Sequence, residues 1–117
     1  TSPHPGGVFT LKPGVYVAEG QTCHDPASAG LRQYDGKGIK GFATHSCVAK
    51  IISRENNRYT IDQSCIDTAK GPGPRTNERQ TVVVINALKF QWGENKQATI
   101  YNYCPTQELP NWLTPND

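Results

Sequence analysis

Hydrophobic and polar positions alternate along this chain in short runs, the period-two signature of half-buried strands, and the runs are separated by Gly, Pro, Asn and Asp. Val15-Tyr16-Val17-Ala18, entered through Pro13-Gly14, predicts a first strand, and Ile39 to Phe42 the start of a second. Residues 46–53 and 58–66 form the clearest pair. They predict a hairpin through Glu55-Asn56-Asn57, with Asn57 in the left-handed conformation such a loop needs. With a three-residue loop, Cys47, Ala49 and Ile51 share a face with Tyr59, Ile61 and Cys65, an apolar and coherent register. Thr81-Val82-Val83-Val84-Ile85 is β-branched throughout and predicts a central strand covered on both faces. It continues towards Leu88 and Phe90, turns near Trp92-Gly93-Glu94-Asn95 and returns as 98–103.

One stretch follows a helical rather than a strand period. Asp25 offers an N-cap carboxylate ahead of Pro26, Ala27, Leu31 and Tyr34 recur at near-helical spacing, and Gly36 can end the element. Lys70-Gly71-Pro72-Gly73-Pro74-Arg75-Thr76-Asn77 reads as a breaker-rich loop inside the domain. The tail, with Leu109, Trp112 and Leu113 among prolines, is expected to wrap over the sheet. The fold class that follows is mainly β: an antiparallel meander of about five to seven strands curled into a small sandwich or barrel, with one short helix and two disulfides.

Length makes this a single domain. At 117 residues there is no room for a second core, so residues 1–7, with their Pro and Gly, are read as a flexible lead-in and 8–117 as one disulfide-stabilised β-rich domain. Only 35% of residues are apolar, so the core is small. No apolar run has the roughly 18 residues a membrane-spanning helix needs. Twelve Lys and Arg against ten Asp and Glu are spread along the chain without a like-charge run, which argues against a nucleic-acid partner or a polybasic membrane patch. Met is absent, position 1 included, which predicts a mature chain from which a signal peptide was removed.

Cys23, Cys47, Cys65 and Cys104 contain no C-x-x-C pair, and Cys23 and its neighbour His24 would point to opposite faces of an extended chain. The expectation is therefore two disulfides, no metal and no cofactor, and a periplasmic or extracellular location. Cys65 and Cys104 each end a predicted strand, and in the expected meander those ends meet at one pole. This favours Cys65–Cys104 with Cys23–Cys47, while a three-residue hairpin loop would instead set Cys47 opposite Cys65.

Three constellations have chemical potential. His24 and His45 with Asp25 and Asp35 supply two imidazoles and a carboxylate, the set a small secreted ribonuclease-like or glycan hydrolase needs, provided a Cys23–Cys47 bridge brings the histidines together. The loop ending in Arg75 is stiff and exposed, suited to presenting a recognition element, and its prolines remove the backbone donors that a phosphate cradle requires. Tyr101 and Tyr103 alternate onto one strand face, where with Trp92 and Trp112 they could form an aromatic surface. Signatures of serine nucleophiles, zinc proteases and calcium loops are missing.

In size, disulfide use and β content the chain resembles small periplasmic proteins that bind and inhibit lysozymes or neutralise toxins. The likeness is one of build, without their Ser-Gly-x-x-Tyr type signature. It implies a binding protein, inhibitor or immunity-like. The chain's own residues indicate how: a rigid loop presented to a partner protein, with Arg75, His45, Tyr101 and Tyr103 as candidate binding residues.

Overall fold

A computed structural model describes residues 6–110 of the chain. Eight strands follow in order: β1 (Gly14–Ala18), β2 (Leu31–Tyr34), β3 (Ile39–Lys40), β4 (His45–Glu55), β5 (Arg58–Ile66), β6 (Arg75–Asn86), β7 (Lys89–Trp92) and β8 (Thr99–Cys104). They pair in the order β3-β2-β1-β8-β7-β6-β5-β4, every pair antiparallel. Since β8 returns to β1, the sheet is an up-and-down barrel open only between β3 and β4.

That gap is closed by other means. The Ala49 amide donates to the Lys37 carbonyl at 2.8 Å. Inside the barrel the Gln63 amide pairs with the backbone of Ile39: its Oε1 accepts from Ile39 N at 2.8 Å and its Nε2 donates to Ile39 O at 2.7 Å. A side chain thus supplies the two bonds a neighbouring strand would otherwise give, which is why a glutamine is acceptable at a buried position. Gly38 lets the chain approach here, since a Cβ would lie 2.6 Å from the Cys47 carbonyl oxygen.

Alternation sends Tyr16, Tyr34, Ala49, Tyr59, Ile61, Val82, Val84, Phe90 and Tyr101 into one interior cluster. The end where β1 begins is plugged by residues 6–13. Phe9 and Leu11 are fully buried there, the Phe9 ring meeting Tyr59 edge-on at 5.2 Å. The Tyr34 hydroxyl accepts from Phe9 N at 2.9 Å and faces the Gly6 and Phe9 carbonyls as acceptors. Lys12 N donates to Ala87 O, tying the plug to the far side of the barrel. A second cluster sits on the outside, where Val15, Val17 and Leu31 are covered by Leu109 and the Cys23–Cys104 disulfide.

The mainly β architecture with two disulfides is as expected from the sequence, and several particulars differ. No α-helix forms between Asp25 and Gly36. Ser28–Gly30 makes one 3-10 turn and Leu31–Tyr34 is strand. Leu31 and Tyr34 lie on opposite faces of β2, one in the outer cluster and one in the core, so burial on both faces produced a spacing of three that mimics a helix. Asp25 caps nothing: its own amide donates to Thr22 Oγ1.

The stretch from 81 to 90 is two strands, not one. Chain reversal occurs at Ala87-Leu88, where Asn86 Oδ1 accepts from Leu88 N at 2.8 Å in a side-chain-stabilised turn. This extra reversal makes β5 and β8 run in opposite directions, so Cys65 and Cys104 end at opposite poles. The favoured bridges Cys65–Cys104 and Cys23–Cys47 are therefore corrected to Cys23–Cys104 and Cys47–Cys65. Nor is β6 covered on both faces, because Val82 and Val84 point inward while Ile85 is exposed on the barrel exterior. Gly6, which forms a bridge with Leu11, and Gly7 belong to the plug; residues 1–5 of the expected lead-in, and the tail from 111 with Trp112, lie outside the described residues.

The hairpin β4–β5 keeps the expected register by an unexpected route. Its loop is the two residues Asn56-Asn57, and Asn56 rather than Asn57 takes positive φ, at 57°. A bulge at Ile52 then adds one residue to β4 and restores the register a three-residue loop would have given, with Ala49 opposite Gln63 and Ile51 opposite Ile61. Cys47 accordingly lies against Cys65, their Cα atoms 4.1 Å apart.

Candidate binding surface at the open pole

The two ends of the barrel are built differently. At the plugged end the connections are tight: 35–38, 56–57 and 87–88. At the other end the strands are connected by 19–30, 41–44, 67–74 and 93–98, three of them longer than any connection at the plugged end. Loops of that length on a rigid barrel are where recognition is usually carried.

The segment 67–74 is held at both ends and in the middle. Asp67 N donates to Pro74 O at 2.8 Å, closing its base. Thr68 Oγ1 donates to Gly71 O at 3.2 Å, and His45, from β4, contacts the same carbonyl through Nε2 at 2.8 Å. A carbonyl only accepts, so Nε2 carries the proton, and Nδ1 receives the Ser46 hydroxyl at 2.9 Å. Ser46 has a positive φ of 52°, and this kink between His45 and Cys47 directs the imidazole to the loop and the Cys47 sulfur into its disulfide with Cys65. Both nitrogens of His45 are thus engaged, Nε2 on the loop and Nδ1 on Ser46 of its own strand.

Arg75 opens β6 rather than lying in the loop. Its Nη1 donates among Ser64 Oγ at 2.9 Å and the Ser64 and Ser46 carbonyls, each at 3.2 Å. One guanidinium therefore joins β4, β5 and β6 beneath the loop. Residues 69–74 above it are exposed.

His24 and Asp25 are exposed in the 19–30 segment. That segment is stapled to β8 by Cys23–Cys104, so the bridge that was to bring His24 to His45 does not exist. Asp35 is a turn residue whose Oδ1 accepts from Lys37 N and Gly38 N at 2.9 and 3.1 Å. Tyr101 is buried, stacked on Phe90 at 5.2 Å, and Tyr103 packs against Tyr16 at 5.6 Å, so this strand face is interior rather than a surface. Among the described residues no cluster of His, Cys, Asp and Glu could hold a metal ion.

What sequence reading missed is the mouth of the barrel itself. A cavity of about 470 Å³ opens between the loops, with Ile39 and Gln63 at its floor and Arg32, Trp92, Phe42 and Glu78 around it. These residues are scattered over β2, β3, β5, β6, β7 and the 41–44 segment, and the one sequence signal for them was the inward parity of each strand. On the exterior, Arg79 pairs with Asp62 through two bonds of 2.7 and 2.9 Å, and Arg58 pairs with Glu94. The Arg79 hydrogen bond lowers the Asp62 pKa; for Glu94, the Thr81 hydroxyl and then Arg58 do the same.

Fold and surface together define a small, disulfide-braced, up-and-down β-barrel with one plugged pole and one open, loop-bearing pole. Comparison of the chain with protein-family models, with curated proteins and with solved structures finds no match in any of the three. Two disulfides are consistent with a secreted or extracellular protein. Among the described residues no helix is long and apolar enough to cross a membrane.

Proposed function

We propose that this chain is a non-enzymatic binding protein of the periplasm or the extracellular space, inhibitor-like or immunity-like, that presents the segment 67–74 to a partner protein. The observation that carries the reading is the bracing of an exposed loop before any partner arrives. His45 engages the Gly71 carbonyl, Arg75 joins the strands beneath, and Cys47–Cys65 cross-links the hairpin at its root. Pro72 and Pro74 further reduce the conformations the loop must give up on binding. A loop fixed in advance loses less entropy when it docks, which is how small inhibitors obtain affinity from modest surfaces. A catalytic reading of His24 and His45 has no supporting contact, since one is exposed on a separately stapled loop and the other has both ring nitrogens hydrogen-bonded, to Ser46 and to the Gly71 carbonyl.

The test is capture with the intact, oxidised protein from envelope or culture-fluid extracts, beside a variant in which residues 69–73 are replaced by Gly and Ser and a control, Arg79→Ala, on the barrel exterior. The reading expects one partner retained at near-equal stoichiometry by the natural chain and by the control, and lost from the loop variant. Retention of that partner by the loop variant, or no retained partner at all, would contradict it.

A further inference from the structure

The open-pole cavity joins apolar walls to a guanidinium that has no ion-pair partner among the described residues. Eight strands is the size at which a barrel interior is either filled by side chains or leaves room for one small ligand. Here the filling stops short. Phe9 and Leu11 close one end and the stacked Phe90–Tyr101 pair occupies the middle, while about 470 Å³ remains at the other, within the range of small-molecule sites. Ile39, the Cys65 end of a disulfide, Trp92 and Phe42 line this space, and Phe42 is 53% exposed, a large apolar ring at the rim.

Arg32 enters the cavity from β2. Its guanidinium lies 5.0 Å over the Tyr101 ring, and its Nη1 donates to the Leu31 carbonyl at 2.7 Å and, more weakly, to Ala29 O at 3.4 Å. These contacts fix the plane of the group. They leave its Nη2 and Nε donors without a described protein acceptor, and neither ion pair among the described residues involves it. Glu78, on β6, borders the same space and is likewise outside those pairs. A guanidinium held in plane by stacking and backbone bonds, with donors to spare, is the arrangement that receives a carboxylate.

We infer that the open pole is a binding site for a small planar aromatic carboxylate: the carboxylate on Arg32, the ring between Trp92 and Phe42, and Glu78 accepting from a ring N–H or O–H. The acidic Glu78 disfavours a second anionic group on the ligand. This site is separate from the segment 67–74 and stands whether or not that loop has a protein partner.

The test uses indole-3-acetate as the probe and tryptamine, the same ring carrying an ammonium, as its counterpart. Both are titrated into the oxidised protein while backbone amide resonances are followed by NMR. The inference expects indole-3-acetate to shift the amides of Gly41, Thr44 and Thr76 and the Trp92 indole, with tryptamine binding about tenfold or more weakly, the ratio one charge-assisted hydrogen-bond pair supplies. Arg32→Gln is expected to remove that preference. Should Arg32→Gln fail to fold, the comparison of the two probes on the natural chain decides alone. No shifts at the mouth up to millimolar probe, shifts confined to another surface, or tryptamine bound as tightly as indole-3-acetate would each overturn the inference.

Discussion

Tyr34 holds the plugged pole through a single oxygen. Its hydroxyl accepts from Phe9 N and faces two carbonyls in a site from which water is excluded. Tyr34→Phe keeps the ring contact with Phe9 and strands a buried N–H, so it should lower stability by about 1–3 kcal/mol in urea denaturation. Burial also raises the pKa of Tyr34, and raises that of Tyr16 further, where burial is joined by the nearby Tyr103 and Tyr34. A raised folded-state pKa means stability that is intact below the unfolded value of about 10 and lost as pH climbs past it. In the folded protein at about pH 11, the tyrosinate absorbance should therefore fall short of that of five ionised tyrosines, reaching full amplitude only on unfolding. At this scale the sequence was partly legible. Asp35 as a turn residue follows directly from its short acceptor side chain, whereas the imidazole of His45 could not be assigned to Gly71 from residues 26 positions apart.

Strands were read well where one face alone is buried and poorly where both are. The alternation in β5 places Tyr59, Ile61, Gln63 and Cys65 inward, as the hairpin pattern implied. Leu31 and Tyr34 read as helical because β2 is covered on both sides, and 81–90 read as one strand because its turn has neither Gly nor Pro. Asn86 was the available signal, since its side chain makes the turn that glycine would otherwise permit. At the β4–β5 turn, positive φ falls on Asn56, one position earlier than expected, because the loop is one residue shorter and the Ile52 bulge absorbs the difference. Asn56→Ile should cost about 1–2 kcal/mol, the penalty for a β-branched side chain in the left-handed region, while Asn56→Gly should leave the melting temperature nearly unchanged. A larger loss for Gly than for Ile would contradict the assignment of the turn.

The whole molecule is a barrel with two unlike ends, and its disulfides serve them differently. Cys47–Cys65 spans 18 positions within one hairpin, and Cys23–Cys104 spans 81 and fastens the 19–30 segment over the outer cluster. Since a longer closed loop constrains the unfolded chain more, replacing Cys23 and Cys104 by Ala should destabilise by about 1 kcal/mol more than replacing Cys47 and Cys65, losses of roughly 4 against 3 kcal/mol. Equilibrium denaturation of the two double variants measures this directly. The favoured pairing failed for one reason, the unseen reversal at Ala87-Leu88, which changed the pole at which Cys104 ends, whereas the hairpin register had already offered Cys47 opposite Cys65 as the rival. Class, strand content and bridge number depend on composition and local pattern; the cavity depends on which strands become neighbours, and that is a property of closure. The central claim is that the open pole is organised before it binds anything. The most direct measurement is ¹⁵N relaxation of the amides of Ala69, Lys70, Gly71 and Gly73 in the isolated, oxidised protein. Order parameters near those of the strands, about 0.8, are predicted; values below about 0.6 would contradict a braced, preformed loop.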